Sequence, residues 1–382
     1  MAALDTGPYP TAPGRLFGVA GADQRDQSVL ESHRLAEFTT GPWQVDQEIR
    51  DLPGDLSLGM IGPASTPKML QDNDVLPAPA PDIAARHSLI TAFSSMRATA
   101  AEVSQPRSLQ NVVMLFPDAA AAAAAAAEMT AHARPSDEDL APGRPTPLPN
   151  SPEVTATTYE TPAGGERVDV FTGHGPYVFF NSARTDAAFL GADAVTLVDA
   201  AVLHQKRGIE RFVPTPTDDL ANLPVDPTGQ LLARTLTAPD DRMPYMAGVW
   251  PTKGWLHFEL NPVAAAALFD TAGVDAVAQR LTTVYQAANP QGAERVADYL
   301  AEETGGIGSV RPVDGVPGMD AARCFERTSG SLPATAPMTW QRVSWRFKCV
   351  SSVDRYAFTA FSADGTDVRQ QMAAQYRILA GR

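Results

Sequence analysis

Few side chains in these 382 residues have a type and spacing that could do chemistry. Trp255, His257 and Glu259 alternate with Leu256, Phe258 and Leu260, which predicts a strand with one apolar and one polar face. On the polar face His257 and Glu259 could hydrogen-bond a polar ligand or form an acid–base pair. A solvated sheet face with a covering Trp is the plainer reading. His174 and Tyr177 lie beside Gly173 and Gly175, whose missing side chains would let a ligand approach the backbone, although turn geometry alone accounts for them. These five are the candidate binding residues. No residue is assigned a catalytic role.

Other chemistries find little support. The histidines, at 33, 87, 132, 174, 204 and 257, never fall close enough to share a helix face as an HExxH zinc pair does. No metal site and no cofactor is expected. No G-x-S-x-G elbow occurs, since Ser329-Gly330-Ser331 lacks the flanking glycines. A Ser/His/Asp triad assembled from distant residues stays open, because triads are defined by geometry. Gly305-Gly306-Ile307-Gly308 is neither a phosphate loop nor a dinucleotide fingerprint; glycines that end a helix explain it.

Cys324 and Cys349 are the two cysteines. Val343, Trp345, Phe347 and Cys349 alternate with Ser344, Arg346 and Lys348, which predicts a half-buried strand. Ala321–Arg327 reads as a second strand. Cysteines on neighbouring strands can bridge when their Cα atoms lie about 4.4–6.8 Å apart. A disulfide is expected, with two buried reduced thiols as the alternative. The disulfide would imply an oxidising compartment. Neither Cys has a second ligand at zinc spacing.

The elements that must position these groups are framed by composition. Apolar residues are 44% and charged residues 19%, with 33 prolines and a net charge of −14. An acidic chain without clustered Lys and Arg argues against a nucleic-acid partner or an anionic membrane surface. No 18-residue apolar run exists, which excludes a multi-span membrane protein. Residues 1–7 have no basic n-region and no apolar run. Taken literally that means no secretion; with Met1-Ala2 set aside as a cloning scar, a removed signal fits as well.

Along the chain, residues 3–23 read as an extended arm, Asp26–Phe38 as a short helix, and 39–88 as irregular wrapping. Val112–Phe116 is a strand, and Asp118 caps a helix opening with Ala119–Ala127. Prolines between 142 and 152 predict a loop or polyproline stretch. Strands follow at Val154–Tyr159, Arg167–Thr172 and Tyr177–Ser182, the last two joined by a hairpin turn, then a helix over Asp186–Lys206. Later come the Leu256–Leu260 strand, a helix from Asn261-Pro262, helices over Asp275–Ala288 and Gly292–Glu303, and the two cysteine strands. A strand over Arg355–Phe361 precedes a last helix with Val368, Met372, Gln375 and Leu379 on one stripe.

Both halves share this order, and Val170–Asp186 echoes Phe347–Asp364. The pattern predicts an α+β protein: two tandem, related domains with mainly antiparallel sheets covered by helices, of ferredoxin-like or α+β sandwich type. The expected limits are 1–88 for the arm and wrapping segment, 89–235 for the first domain and 236–382 for the second.

Leu4-Asp5-Thr6-Gly7-Pro8-Tyr9-Pro10-Thr11, Arg34–Glu37, Gly41-Pro42-Trp43 and the closing Cys324, Cys349, Arg355-Tyr356 and Gln375-Tyr376 resemble an uncharacterised family of mycobacterial and nocardial envelope lipoproteins. The resemblance spans nearly the whole chain through structural motifs. It implies export to the outer face of the plasma membrane, with membrane contact only through an N-terminal lipid anchor whose cysteine this chain lacks.

Three functions are therefore carried forward. The first is a non-enzymatic exported envelope lipoprotein with a binding groove between two α+β domains, for an apolar small molecule, a cell-wall lipid or glycolipid, or an envelope protein partner; it should be aromatic-lined and of about 300–1,000 Å³. The second is a hydrolase or haem-type oxygenase with its site near His257/Glu259 or His174. The third is a structural protein-interaction module.

Overall fold

The computed structural model describes residues 4–52, 61–100, 102–103, 106–135, 140–162, 164–185, 193–237, 247–335 and 338–381. They fall into two compact units. The N-terminal unit comprises Ala20–Leu223 with Lys253–Val263; the C-terminal unit comprises the arm up to Val19, Pro224–Thr252 and Ala264–Arg382. The boundary thus lies near residue 223 rather than 235. Most of the first 88 residues belong to the N-terminal unit instead of wrapping it.

In that unit α1 (Gln24–Ala36) and α2 (Pro42–Val45) precede β1 (Gly62–Pro63), α3 (Pro67–Asp72) and α4 (Ala80–Arg86). The segment expected to be irregular contains three short helices and a two-residue strand among its described residues: its prolines sit in the first turns of α2, α3 and α4, where a missing N–H costs nothing. β2 (Thr91–Ala98) and β3 (Arg107–Leu115) lead into α5 (Ala119–His132), capped by Asp118, whose carboxylate accepts from Ala121 N at 2.8 Å. A meander follows: β4 (Arg144–Leu148), β5 (Ser151–Glu160), β6 (Glu166–His174) and β7 (Tyr177–Thr185), then α6 (Ala194–Ile209). The expected Pro-rich loop is thus the edge strand β4 and the start of β5. An edge strand tolerates Pro145 and Pro147 because alternate N–H groups point away from the sheet. α6 begins at an Asp193 cap; the expected start at Asp186 lies outside the described residues.

All pairings are antiparallel, in the order β1-β2-β3-β7-β6-β5-β4. Strand alternation then decides the faces. Val112, Met114, Phe171, Val178 and Phe180 pack against Ala122, Ala125, Ala126 and Met129 of α5. Leu109, Val168, Val170 and Ala183 pack against Leu197, Val198, Ala201 and Val202 of α6. Alanine's small side chain is what lets α5 lie close on the sheet.

The C-terminal unit repeats this plan. β8 (Gly248–Pro251) is followed by α7 (Thr252–Trp255), most of which belongs to the N-terminal unit, then by α8 (Pro262–Ala272), β9 (Ala276–Gln279) and β10 (Thr283–Gln286). Next come α9 (Pro290–Gly305), β11 (Val310–Val313), β12 (Arg323–Arg327), α10 (Met338–Val343), β13 (Phe347–Val353), β14 (Tyr356–Ser362) and α11 (Gly365–Ala380). The sheet order, read from its other edge, is β8-β9-β10-β14-β13-β12-β11, strand for strand that of the first sheet. Register matches too. Gly62 pairs with Ser94 and Gly248 with Gln279, each glycine at a positive φ, 125° and 148°. Past the third strand, Phe116 N donates to Pro176 O and Ala287 N to Arg355 O, both at 2.9 Å, closing equivalent hairpin turns.

Each unit is thus an α+β sandwich built on an antiparallel sheet. The main helices follow the third and seventh strands, whereas a ferredoxin-like unit interleaves them as β-α-β-β-α-β. Two local expectations fail here. Asp275–Ala288 is the β9–β10 hairpin, not a helix; its Val277, Thr283, Val284 and Tyr285 are strand formers. The cysteine strand starts at Phe347, and Val343 closes α10 instead.

Candidate functional site

Trp255, His257 and Glu259 do not lie on a strand. Trp255 ends α7, and Leu256–Phe258 is a 3-10 turn. A five-residue alternation fits a buried helical turn as well as a strand. All three side chains are buried, Trp255 1%, His257 2% and Glu259 4% exposed, and they lock Lys253–Val263 into the N-terminal unit. His257 Nε2 lies 3.0 Å from Ala36 O, which can only accept, so Nε2 carries the proton. Nδ1 then accepts from Ser95 Oγ at 2.8 Å. Trp255 Nε1 donates to Glu259 Oε1 at 2.5 Å.

Beneath this segment lies Arg97, a buried guanidinium. Its Nη2 donates to the carbonyls of His257 (2.7 Å) and Glu259 (2.8 Å), and its Nη1 to Arg50 O at 3.2 Å. It also stacks over Trp43, 5.6 Å from the ring centroid. Burial, with the Arg97 charge adding to it, pushes the His257 imidazole down to about 3. A neutral imidazole with both nitrogens engaged does not exchange protons with a substrate. The expected acid–base pair is a structural latch, and Arg97, its central cation, carried no signal in the sequence.

His174 and Tyr177 flank the β6–β7 turn as expected, with Gly175 at φ +55°. The turn itself is exposed at Gly173 and Gly175, with His174 half-buried, and small residues of α5 stand beside it. A Cβ at Gly173 would meet Ala126 Cβ at 3.6 Å and Ala123 Cα at 3.8 Å, so α5 lies directly against the turn. Tyr177 is buried, and desolvation, with the Glu31 charge in support, pushes its phenol up to about 12. His174 stacks 5.8 Å from Phe179.

The equivalent turn in the C-terminal unit borders a charged cleft. Asp354 takes the place of Gly175, with φ +48°, and beside it lies a cleft of about 450 Å³. One wall is α9, where Glu294, Ala297 and Asp298 stand at the positions of Ala123, Ala126 and Ala127 of α5, counting from the caps Asn289 and Asp118. The others are Ser352–Asp354 of the turn and Asp320, Ala321 and Arg323 at the entry to β12. Four carboxylates, Glu294, Asp298, Asp320 and Asp354, face one guanidinium, Arg323, which pairs with Asp298 at 2.6 Å. The lining contains no aromatic side chain. None of these residues stood out in the sequence; aligning α9 on the alanines of α5 would have exposed them.

Next to Arg323, Cys324 pairs directly opposite Cys349 across β12 and β13 and is bonded to it, with Cα atoms 4.1 Å apart. That separation is below the anticipated range and close to the roughly 4.5 Å of a non-hydrogen-bonded antiparallel pair. The bridge ties the β12 wall of the cleft to the strand that carries the turn. Both sulfurs are buried under α11, with Met372 and Phe358 in the same core. Among the described residues no three His, Cys, Asp or Glu side chains converge as metal ligands, and no helix is long and apolar enough to cross a membrane.

No curated protein and no solved structure matches the chain significantly. Two family models do: the domain of unknown function DUF7373 N-terminal over residues 19–225 and DUF7373 C-terminal over 231–382. The break between the two matches lies close to the unit boundary near residue 223, although Lys253–Val263, inside the second match, belongs to the N-terminal unit. The chain belongs to the DUF7373 family.

Proposed function

We propose that the protein is an exported, non-enzymatic binding protein whose ligand site is the cleft between α9, the β13–β14 turn and the start of β12. The observation that carries this reading is the difference between the repeats. The same corner of the fold carries alanine and glycine in one unit and carboxylates around a cleft in the other. Its volume suits a small ligand or one side chain of a larger partner. Its charge favours an organic cation, an ammonium or guanidinium group, over the apolar lipid anticipated from the envelope context.

Export is supported by the disulfide, which uses both cysteines and is the kind of bond that persists outside the reducing cytosol. An actinobacterial envelope and a lipid anchor in the precursor rest on the sequence resemblance. An enzymatic site at His257/Glu259 is disfavoured by the burial of that pair.

Native mass spectrometry of the protein purified from its own cell envelope tests the reading. A retained amine or guanidine, absent from a variant carrying Glu294→Gln and Asp298→Asn, is the expected result. A retained neutral lipid, indifferent to those substitutions, would contradict it.

A further inference from the structure

The arm at residues 4–19 precedes α1 in sequence yet packs with the C-terminal unit. Pro8, Pro10 and Pro13 stiffen it, and it is held at separated points. Leu4 and Phe17 pack against the core that includes Val368 and Met372 of α11, with the Phe17 ring 5.3 Å from the Arg280 guanidinium. Tyr9 packs against Leu236, Leu281, Ala374 and Ile378 and donates its hydroxyl proton to Asp367 Oδ1 at 2.6 Å. Gly14 N donates to Ala233 O at 2.7 Å and Val225 N to Gly18 O at 3.0 Å. Side-chain anchors with backbone bonds between them are the way an extended peptide ligand is held.

The N-terminal unit holds a strap in the equivalent place. There, Lys253–Val263 crosses the Ala36 carbonyl at the end of α1 and Ser95 of β2. The arm crosses Ala233 in the turn matching the end of α1, and Arg280, which follows Gln279 as Ser95 follows Ser94 in the shared register. The two fillings differ in kind. Lys253–Val263 is locked by buried Arg97 and His257. The arm's polar contacts are half-buried, as for Tyr9 and Asp367, or exposed, as for Asp5 and Gln370.

We propose that the arm is an exchangeable strap and that its groove on the C-terminal unit takes the same segment of a second copy. A second copy supplies an identical segment, so the arm contacts of residues 4–18 are remade unchanged, and what must rearrange is the connection at Ala20–Gly21, where Ala20 N donates to Leu223 O at 2.8 Å and Gly21 N to Ala221 O at 3.0 Å. Exchange of this kind costs little but is bimolecular, so it grows with protein concentration.

The test uses full-length chains carrying Gly14→Cys or Ala233→Cys. The two are mixed, unfolded in urea with the Cys324–Cys349 bond intact, and refolded together at high and low concentration. Peptide mapping then looks for a bond between positions 14 and 233. Bonded heterodimer that rises at least several-fold with concentration is expected, while one chain carrying both substitutions closes internally. Absence of heterodimer while that double variant closes would overturn the proposal. Failure of the double variant to close would overturn it as well, since the arm would not occupy its groove.

Discussion

Gln375 holds the C-terminal unit as Gln205 holds the N-terminal one. Gln205 Oε1 accepts from Thr40 N at 2.7 Å and its Nε2 donates to Phe38 O at 2.9 Å. Gln375 Oε1 accepts from Leu236 N and its Nε2 donates to Arg234 O, both at 2.8 Å. Each glutamine is fully buried on the helix that ends its repeat and grips the chain ahead of its first strand. Thr39 and Thr235 complete the match, bonding back to the carbonyls of Leu35 and Leu231.

Replacing either glutamine by leucine strands a buried N–H and a buried carbonyl. Gln205→Leu and Gln375→Leu should each lose about 2 kcal/mol, read from urea midpoints. A variant as stable as the parent would refute the clamp in that unit.

Arg97→Met removes the donors from three main-chain carbonyls at once. A loss of about 3 kcal/mol is expected, with amide exchange rising first in residues 253–263. Uniform loss of protection across the unit would mean that Arg97 does not act on this segment.

His257 makes stability depend on pH. Folded, it stays neutral down to about 3, while an exposed imidazole takes a proton near 6.5. Between those values the unfolded chain binds a proton that the folded chain refuses, so stability falls as pH falls. The contribution is complete above about pH 6.5 and declines toward about pH 3. His257→Gln should flatten the slope of unfolding free energy between about pH 7 and 5, by at most about 1.4 kcal/mol per pH unit. An unchanged slope would place the titration elsewhere.

Removing the disulfide by Cys324→Ala with Cys349→Ala frees a loop closed at a sequence separation of 25. A loss of about 3 kcal/mol is expected. Thiol titration of the denatured parent should find no free sulfhydryl; two would disprove the bond.

How much of this the sequence disclosed depended on periodicity. Val170–Phe180 and the Val368–Leu379 stripe alternate or recur over a full element, and both were placed correctly. The echo between Val170–Asp186 and Phe347–Asp364 is the equivalent strand–turn–strand of each repeat, shifted by two residues, since Tyr177 corresponds to Tyr356. Leu256–Leu260 misled because so short an alternation is satisfied by a turn buried on all sides. The cleft stayed hidden because Glu294, Asp298 and Asp354 resemble any solvated charges until the fold sets them against Ala123, Ala127 and Gly175. His174 marked the right corner of the fold in the wrong repeat.

The most direct measurement is a nuclear magnetic resonance titration of the intact protein with 1,5-diaminopentane, and with glutarate as the anionic control. Saturable shifts by the diamine in residues 294–298, 320–323 and 352–354, at least tenfold weaker after Glu294→Gln with Asp298→Asn, are predicted. Shifts of equal size with glutarate, or diamine shifts centred on other residues, would contradict the cleft as a cation site.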